Sequence, residues 1–299
     1  MADTQGIIVK ALSGFYYVDA QGEIVTCRAR GKFRNEGITP LVGDRVKIIK
    51  TEGQSGRLEE ILPRKNTFQR PAVSNIDTVV VIAAAVNPVT DPFLIDRVAA
   101  IAAHKGAGVI VCINKSDIDP GTKLRDIYVR AGIATVNTSA LTGRGIPELL
   151  GLMGDKVCVF TGNSGVGKSS ILNCIEPGFS IATGQVSDKL GRGRHTTRHT
   201  ELYRLPGGAL VADTPGFSSF DIEKMELMTP QELQYAFVEF RPYIGSCRYT
   251  GCAHIKERGC AVREAVLAGE IPESRHASYA RLYGLIKSIP EWEQKKKDG

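Results

Sequence analysis

Residues 162–170 read GNSGVGKSS, and residues 113–117, about fifty positions earlier, read INKSD. The first stretch carries Gly162, Gly167, Lys168 and Ser169 at the spacing of a phosphate-binding loop. An apolar run ends just before it and an apolar-periodic segment starts at Lys168, so the loop joins a strand to a helix. In that setting the backbone N–H groups of Gly162, Asn163, Ser164, Gly165, Val166 and Gly167 can face an anionic phosphate chain, helped by the positive end of the helix. Lys168 is placed to reach the β- and γ-phosphates, Ser169 to ligate Mg²⁺, and Ser170 closes the phosphate-binding run.

The second stretch sets Asn114, Lys115, Ser116 and Asp117 just past the apolar run VIVCI. A carboxylate at the last position accepts from both N1–H and the 2-amino group of guanine, donors that adenine lacks, which selects GTP over ATP. Lys115 can lie over the base plane. One strand later, NTSAL at 137–141 supplies Ser139 and Ala140, a loop whose backbone N–H would meet guanine O6. Beyond the phosphate loop, ADTPG at 212–216 follows another apolar run. Its Asp213 would hold Mg²⁺ through water, and the Gly216 N–H can sense a γ-phosphate. Between them GRGRHTTRHT, 191–200, is too basic and too rich in glycine for an element interior and reads as a loop. Thr197 is the expected Mg²⁺ hydroxyl there, with Thr196 as the alternative.

The parts therefore run base reader, second base loop, phosphate loop, switch I, switch II. An ordinary GTPase runs phosphate loop, switch I, switch II, base reader, second base loop. One cyclic shift converts the first order into the second, so both motifs stand and the domain is circularly permuted. Permutation is tolerated where native chain ends lie close together at the surface. The residue directly after Gly216 is Phe217, which cannot hydrogen-bond and so cannot orient an attacking water. His195 is the catalytic candidate in its place; Arg194 or Arg198, stabilising developing charge, is the competing assignment.

Outward from this core the chain divides in three. Residues 1–70 hold short alternating runs, GIIVKAL, GFYYVDA, EIVTCRARG, GDRVKII and GRLEEILP, with turn residues between them. Five such strands predict a small barrel of the oligonucleotide-binding (OB) type. Its Arg28, Arg30, Lys32, Arg34, Arg45, Lys47, Arg57, Arg64 and Lys65, with Phe15, Tyr16, Tyr17 and Phe33 to stack on bases, suit RNA. Residues 71–222 alternate β and α, the pattern of a parallel sheet with helical crossovers. DPFLIDRVAAIAAH predicts a helix with Asp91 as N-cap and Pro92 at its first position. Residues 223–299 turn helical and polar, ending in a Lys-rich tail.

Cys247, Cys252, His254 and Cys260 crowd into fourteen residues of this last part. Three thiolates and an imidazole complete a tetrahedral Zn²⁺ site with no position left for water, so a structural zinc is expected. Cys112 and Cys158 lie in apolar runs and read as buried, inert thiols. The longest apolar run, 79–86, is too short to cross a bilayer, and no basic segment followed by a long apolar core opens the chain. A cytoplasmic protein without membrane attachment is expected. The net charge of +6 over 299 residues favours an anionic partner.

The permuted motif order, the OB-like module before it and the Cys/His cluster after it together resemble the RsgA family of circularly permuted GTPases, the YloQ/YjeQ type. The resemblance spans essentially the whole chain. It implies a GTPase that binds the 30S ribosomal subunit and its rRNA late in assembly, with hydrolysis stimulated by that subunit; a monomer is expected. It assigns zinc to the same four residues and points to His195. Two rivals remain at this level: a GTPase serving another RNA particle, separated by which particle stimulates turnover, and an RNA-binding scaffold that only holds nucleotide, separated by phosphate release.

Overall fold

The computed structural model describes residues 3–51, 53–69, 72–179, 200–213 and 228–289. Its first part is the expected barrel: β1 (Asp3–Leu12), β2 (Phe15–Ala20), β3 (Glu23–Ala29), β4 (Arg45–Lys50) and β5 (Ser55–Ile61), with a short helix α1 (Gly31–Asn35) after β3. β1 pairs with β2, β2 with β3, β3 in parallel with β5, β5 with β4, and β4 back with β1, which closes the ring. Alternate residues fill it: Ile8, Val18, Val25, Cys27, Val46, Ile48 and Leu58 are all buried. Phe33 is buried too, so it belongs to the core and is corrected from a base-stacking residue. Arg64 leaves the basic surface as well. Its Nε and Nη2 bind the fully buried carboxylate of Asp44 at 2.7 and 2.8 Å, while the Ser74 hydroxyl donates to Asp44 Oδ1 at 2.6 Å. That knot ties the barrel to the hairpin of β6 (Thr67–Gln69) and β7 (Ala72–Ser74) that leads into the next part.

The second part is a sheet flanked by helices. β8 (Thr78–Ala84) is buried at every position, which explains its unbroken apolar run from Val79 to Ala84. It leads to α2 (Pro92–His104), whose first turn is closed by the Asp91 side chain accepting from the Phe93 N–H at 2.9 Å, with Pro92 at the first helical position as expected. There follow β9 (Gly108–Asn114), α3 (Thr122–Arg130), β10 (Ala134–Asn137), α4 (Ile146–Met153), β11 (Val157–Thr161), α5 (Lys168–Ile175), β12 (Glu201–Arg204) and β13 (Leu210–Asp213). The sheet order is β10-β9-β8-β11-β13-β12, parallel except for β12. β12 also meets β1, so the sheet runs on into the barrel. The carboxyl ends of β9, β10, β11 and β13 thus share one rim, where an open parallel sheet holds its ligand.

The last part holds α6 (Pro230–Ala236), a 3-10 turn Val238–Tyr243, α7 (Ala261–Leu267) and α8 (Glu273–Lys287). The Thr229 hydroxyl accepts from the Glu232 N–H, and the Glu232 carboxylate accepts from the Thr229 N–H, a reciprocal cap that starts α6. Phe237, Phe240 and Tyr279 pack at centroid distances of 4.8–5.4 Å as the module's small core. The module leans on α2 through ions. Arg275 of α8 bonds Asp96 of α2 at 2.8 Å and Glu239 at 2.6 and 3.1 Å, all three side chains at most 5% exposed. Burial pushes the Asp96 carboxyl above its ordinary range, against the pull of Arg275.

Candidate nucleotide and metal sites

The phosphate loop joins β11 to α5, as its spacing requires. Gly162 has φ 143° and Gly167 φ 99°, a region that disfavours side chains. A Cβ on Gly162 would lie 2.2 Å from the Ile82 carbonyl oxygen, and one on Gly167 would lie 2.2 Å from Asn114 Nδ2. Both glycines thus permit close backbone approach as well as unusual torsions. Val166 is fully buried and anchors the loop in the core. Lys168 curls back over the loop, donating to the carbonyls of Gly162 at 2.5 Å and Asn163 at 2.8 Å. Burial makes its ammonium easier to deprotonate than an ordinary lysine. An anionic phosphate would reverse that, so the cradle fits a polyphosphate. Ser164 and Gly165 are exposed at the tip, and Ser169 and Ser170 lie in the first turn of α5.

Asn114 is the knot of the side expected to read the base. It is 2% exposed at the end of β9. Its Nδ2 donates to the Val166 carbonyl at 2.9 Å, and its Oδ1 accepts from the Ala140 N–H at 3.1 Å. One side chain therefore clamps the 162–167 loop to the loop that carries Ala140. Ser116 N–H donates to Thr138 O at 3.0 Å, and the Lys115 carbonyl accepts from the N–H groups of Ile118 and Asp119, which fixes the turn that carries Asp117. Asp117 is exposed on this rim. Lys115 has φ 62° and donates to the Asn87 carbonyl. Ser139 receives the Thr142 N–H on its hydroxyl at 3.2 Å and shapes the loop that presents Ala140. Asn87 and Thr138 were not singled out by sequence. Thr138 sits inside the NTSAL motif and so carried a signal, whereas Asn87 acts through a backbone oxygen and carried none.

Asp213 enters as the last residue of β13, beside the phosphate-loop strand β11. Its side chain, and the whole of Arg194, His195, Thr196, Thr197, Arg198, Gly216 and Phe217, lie outside the described residues.

The Cys/His cluster is assembled: one ligand atom each from Cys247, Cys252, His254 and Cys260 lie within 4.8 Å of one another. His254 Nδ1 is 3.5 Å from Cys247 Sγ and 3.4 Å from Cys260 Sγ, and those two sulfurs are 3.9 Å apart. Tetrahedral legs of about 2.0–2.3 Å put neighbouring ligand atoms roughly 3.4–3.8 Å apart, so the set fits Zn²⁺. His254 Nε2–H donates to Gln234 Oε1 at 2.9 Å, which leaves the Nδ1 lone pair for a metal. Gln234 comes from α6, twenty residues upstream, with nothing in the sequence to mark it. Burial, foremost, pushes the Cys252 thiol up to about 12, which a bound dication would reverse. No helix among the described residues is long and apolar enough to cross a membrane.

A family model described as RsgA GTPase matches residues 61–223, and one described as RsgA N-terminal domain matches residues 5–58. The chain is 42% identical over 297 residues to a Ruminiclostridium cellulolyticum protein named small ribosomal subunit biogenesis GTPase RsgA, covering 97% of this chain and 96% of that one. A Geobacillus kaustophilus protein of the same name is 44% identical over 95% of this chain and 97% of its own length. Among solved structures, YjeQ from Thermotoga maritima superposes with a TM-score of 0.82 at 33% identity, covering 97% and 100% of the two chains. YloQ, described as a circularly permuted GTPase, gives 0.81 at 36% identity and 97% of each.

Proposed function

The chain belongs to the RsgA GTPase family, and from that premise we propose that it hydrolyses GTP in late maturation of the 30S ribosomal subunit, its turnover stimulated by that subunit. The observation that carries the reading is the Asn114 clamp, which brings a guanine reader and a phosphate cradle together although they stand in reversed order along the chain. Asp117 reads the guanine edge, Lys115 covers the base and the Ala140 loop meets O6, with Asn114, Ser116 and Ser139 holding these in place. Residues 162–170 hold the phosphates. Ser169, Asp213 and Thr197 would hold Mg²⁺, which supplies charge neutralisation at the β- and γ-oxygens. Gly216 senses the γ-phosphate. Cys247, Cys252, His254 and Cys260 hold one structural Zn²⁺. The division into 1–70, 71–222 and 223–299 is our working one, and a cytoplasmic monomer is the expected form.

Contact with rRNA is supported by the barrel's outer face. Phe15, Arg28 and Arg57 stand in register across β2, β3 and β5, and the Arg28 guanidinium lies over the Phe15 ring at 4.7 Å. Both arginines are exposed. Such a row suits phosphates beside stacked bases. The test of the whole reading is GTP turnover titrated with purified 30S, 50S and 70S particles. Selective stimulation by 30S is expected; stimulation by 50S alone, or none, overturns it.

His195 is the proposed group that positions the attacking water. His195→Ala should cut 30S-stimulated turnover about 100-fold or more, the usual worth of a placed acid or base, and leave GTP affinity intact. An undiminished stimulated rate removes His195 from the chemistry and leaves Arg194 or Arg198.

Removing one zinc ligand should act locally. Cys252→Ala should purify without stoichiometric zinc and should open residues beyond about 225 to protease, because metal binding and folding of so small a module are one equilibrium. Guanine-nucleotide affinity should change little. Protein purified without zinc in the parent form would refute the metal assignment.

A further inference from the structure

β12 is a strand of four residues held between two parts of the molecule. On one side it pairs antiparallel with β13, Glu201 opposite Asp213 and Arg204 opposite Leu210. On the other it meets barrel strand β1, with Lys10 opposite Glu201. Lys10, Glu201 and Asp213 therefore form one row across three strands, from the barrel to the end of β13. An ion pair marks each end of β12. Lys10 Nζ binds Glu201 Oε2 at 2.8 Å, and Arg204 Nη2 binds Asp19 Oδ2 at 2.7 Å. The two pairs have opposite polarity: the barrel offers the cation at one end and the anion at the other. Both barrel groups are steadied. Lys10 also lies 5.9 Å from the Tyr17 ring centroid, and Asp19, 8% exposed, accepts the Gly22 N–H at 2.7 Å. Glu201 further accepts the Tyr203 hydroxyl at 3.2 Å.

We propose that Lys10 is a positioning residue of the GTPase reaction: through its ion pair with Glu201 it holds β12, and hence the end of β13 that carries Asp213, so the barrel sets the geometry of the magnesium side of the site. β1 carries no residue of the nucleotide cradle, and its reach to the reaction is through this row. A strand that short keeps its place by lateral partners, and among the described residues the Lys10–Glu201 pair stands at the β1–β12 register pair. Disturbing it should alter how charge is met in the transition state more than how the nucleotide is held in the ground state. The inference rests on the reading of Asp213 as a magnesium-side group.

The experiment is a charge swap in the full chain, assayed as Mg²⁺-dependent GTP hydrolysis without added particles. Lys10→Glu and Glu201→Lys should each lower kcat about fivefold or more with KM for GTP little changed, and the double variant should return to within about twofold of the parent. A purely structural tie would also lower apparent kcat at unchanged KM and be rescued by the swap, so kcat is expressed per active site counted by GDP binding and thermal unfolding is followed in parallel; a loss that vanishes on that normalisation overturns the proposal. Lys10→Met with Asp19→Asn serves if a reversed charge prevents folding, and a kcat loss is again expected. Single variants at parental kcat, or a double variant as slow as the singles, overturn the proposal. Asp213→Asn, measured alongside, separates the premises. A parental rate there overturns the magnesium-side reading and this proposal with it; a collapsed rate there with unaffected Lys10 and Glu201 variants overturns the positioning role alone.

Discussion

Asp117→Asn should weaken GTP binding about 1,000-fold and make XTP the better ligand, because the substitution inverts one half of a donor–acceptor pair that the bound base would cover. The Asp117 carboxylate can accept from guanine N1–H and from the 2-amino group. An asparagine amide keeps one acceptor and places N–H donors against the 2-amino group, so a donor faces a donor. Hydrogen bonds to a charged group contribute about 1.5–3 kcal/mol each, and an unpaired buried donor costs a further 1–3 kcal/mol. A combined loss of about 4 kcal/mol corresponds to roughly three decades in Kd. Xanthine keeps N1–H and has a carbonyl at position 2, which the new amide can serve. The fold should not object. Among the described residues the Asp117 side chain makes no bond, and its turn is fixed by backbone ties at Ser116, Ile118 and Asp119. Titration calorimetry with GDP and XDP decides it: equal GDP affinity in variant and parent would remove Asp117 from the base site.

Much of this arrangement was legible because its signals are local. Six of the seven buried positions of β8, all after Thr78, are a run of apolar letters, and the Asp91–Pro92 start of α2 is a cap followed by the residue that suits the first turn. The phosphate loop is readable because glycine is needed where Cβ atoms would strike Ile82 and Asn114. The failures are non-local. Nothing in the barrel's letters says that β3 lies beside β5, or that Phe33 turns inward while Phe15 stays at the surface. Arg64 reads as one more surface cation until Asp44, twenty residues away, is found fully buried beside it. The row Lys10–Glu201–Asp213 and the pair Asp19–Arg204, 185 residues apart, are invisible to any pattern of spacing.

Arg275→Leu should be the most damaging single change outside the nucleotide site. Arg275 is 1% exposed and meets two carboxylates, Asp96 at 0% and Glu239 at 5% exposure, with its guanidinium 4.5 Å from the Phe237 ring centroid. Burial works against its charge, but Glu239 and Asp96 outweigh that and hold it more firmly protonated than usual. Leucine fills part of the volume and leaves two buried acids facing each other. Breaking a buried ion cluster from one side costs about 3–5 kcal/mol, a large share of a domain's 5–15 kcal/mol. The loss falls on the contact between α2 and α8, so zinc-module resistance to protease should fail before nucleotide binding does. The pH dependence follows from Asp96, whose carboxyl burial already raises and Arg275 lowers. Without Arg275 the raised value goes higher, so the folded variant holds a proton that the unfolded chain has released. Stability then falls as pH climbs from the ordinary carboxylate range through the raised value, and acid restores part of it. The variant should therefore be closer to the parent at pH 5 than at pH 8 in urea unfolding. Adding Asp96→Asn and Glu239→Gln to it should recover much of the loss, since a neutral cluster leaves no charge uncompensated. A penalty below about 1 kcal/mol, the range of a surface pair, or one that is the same at both pH values, would show that the cluster does not hold the module to α2.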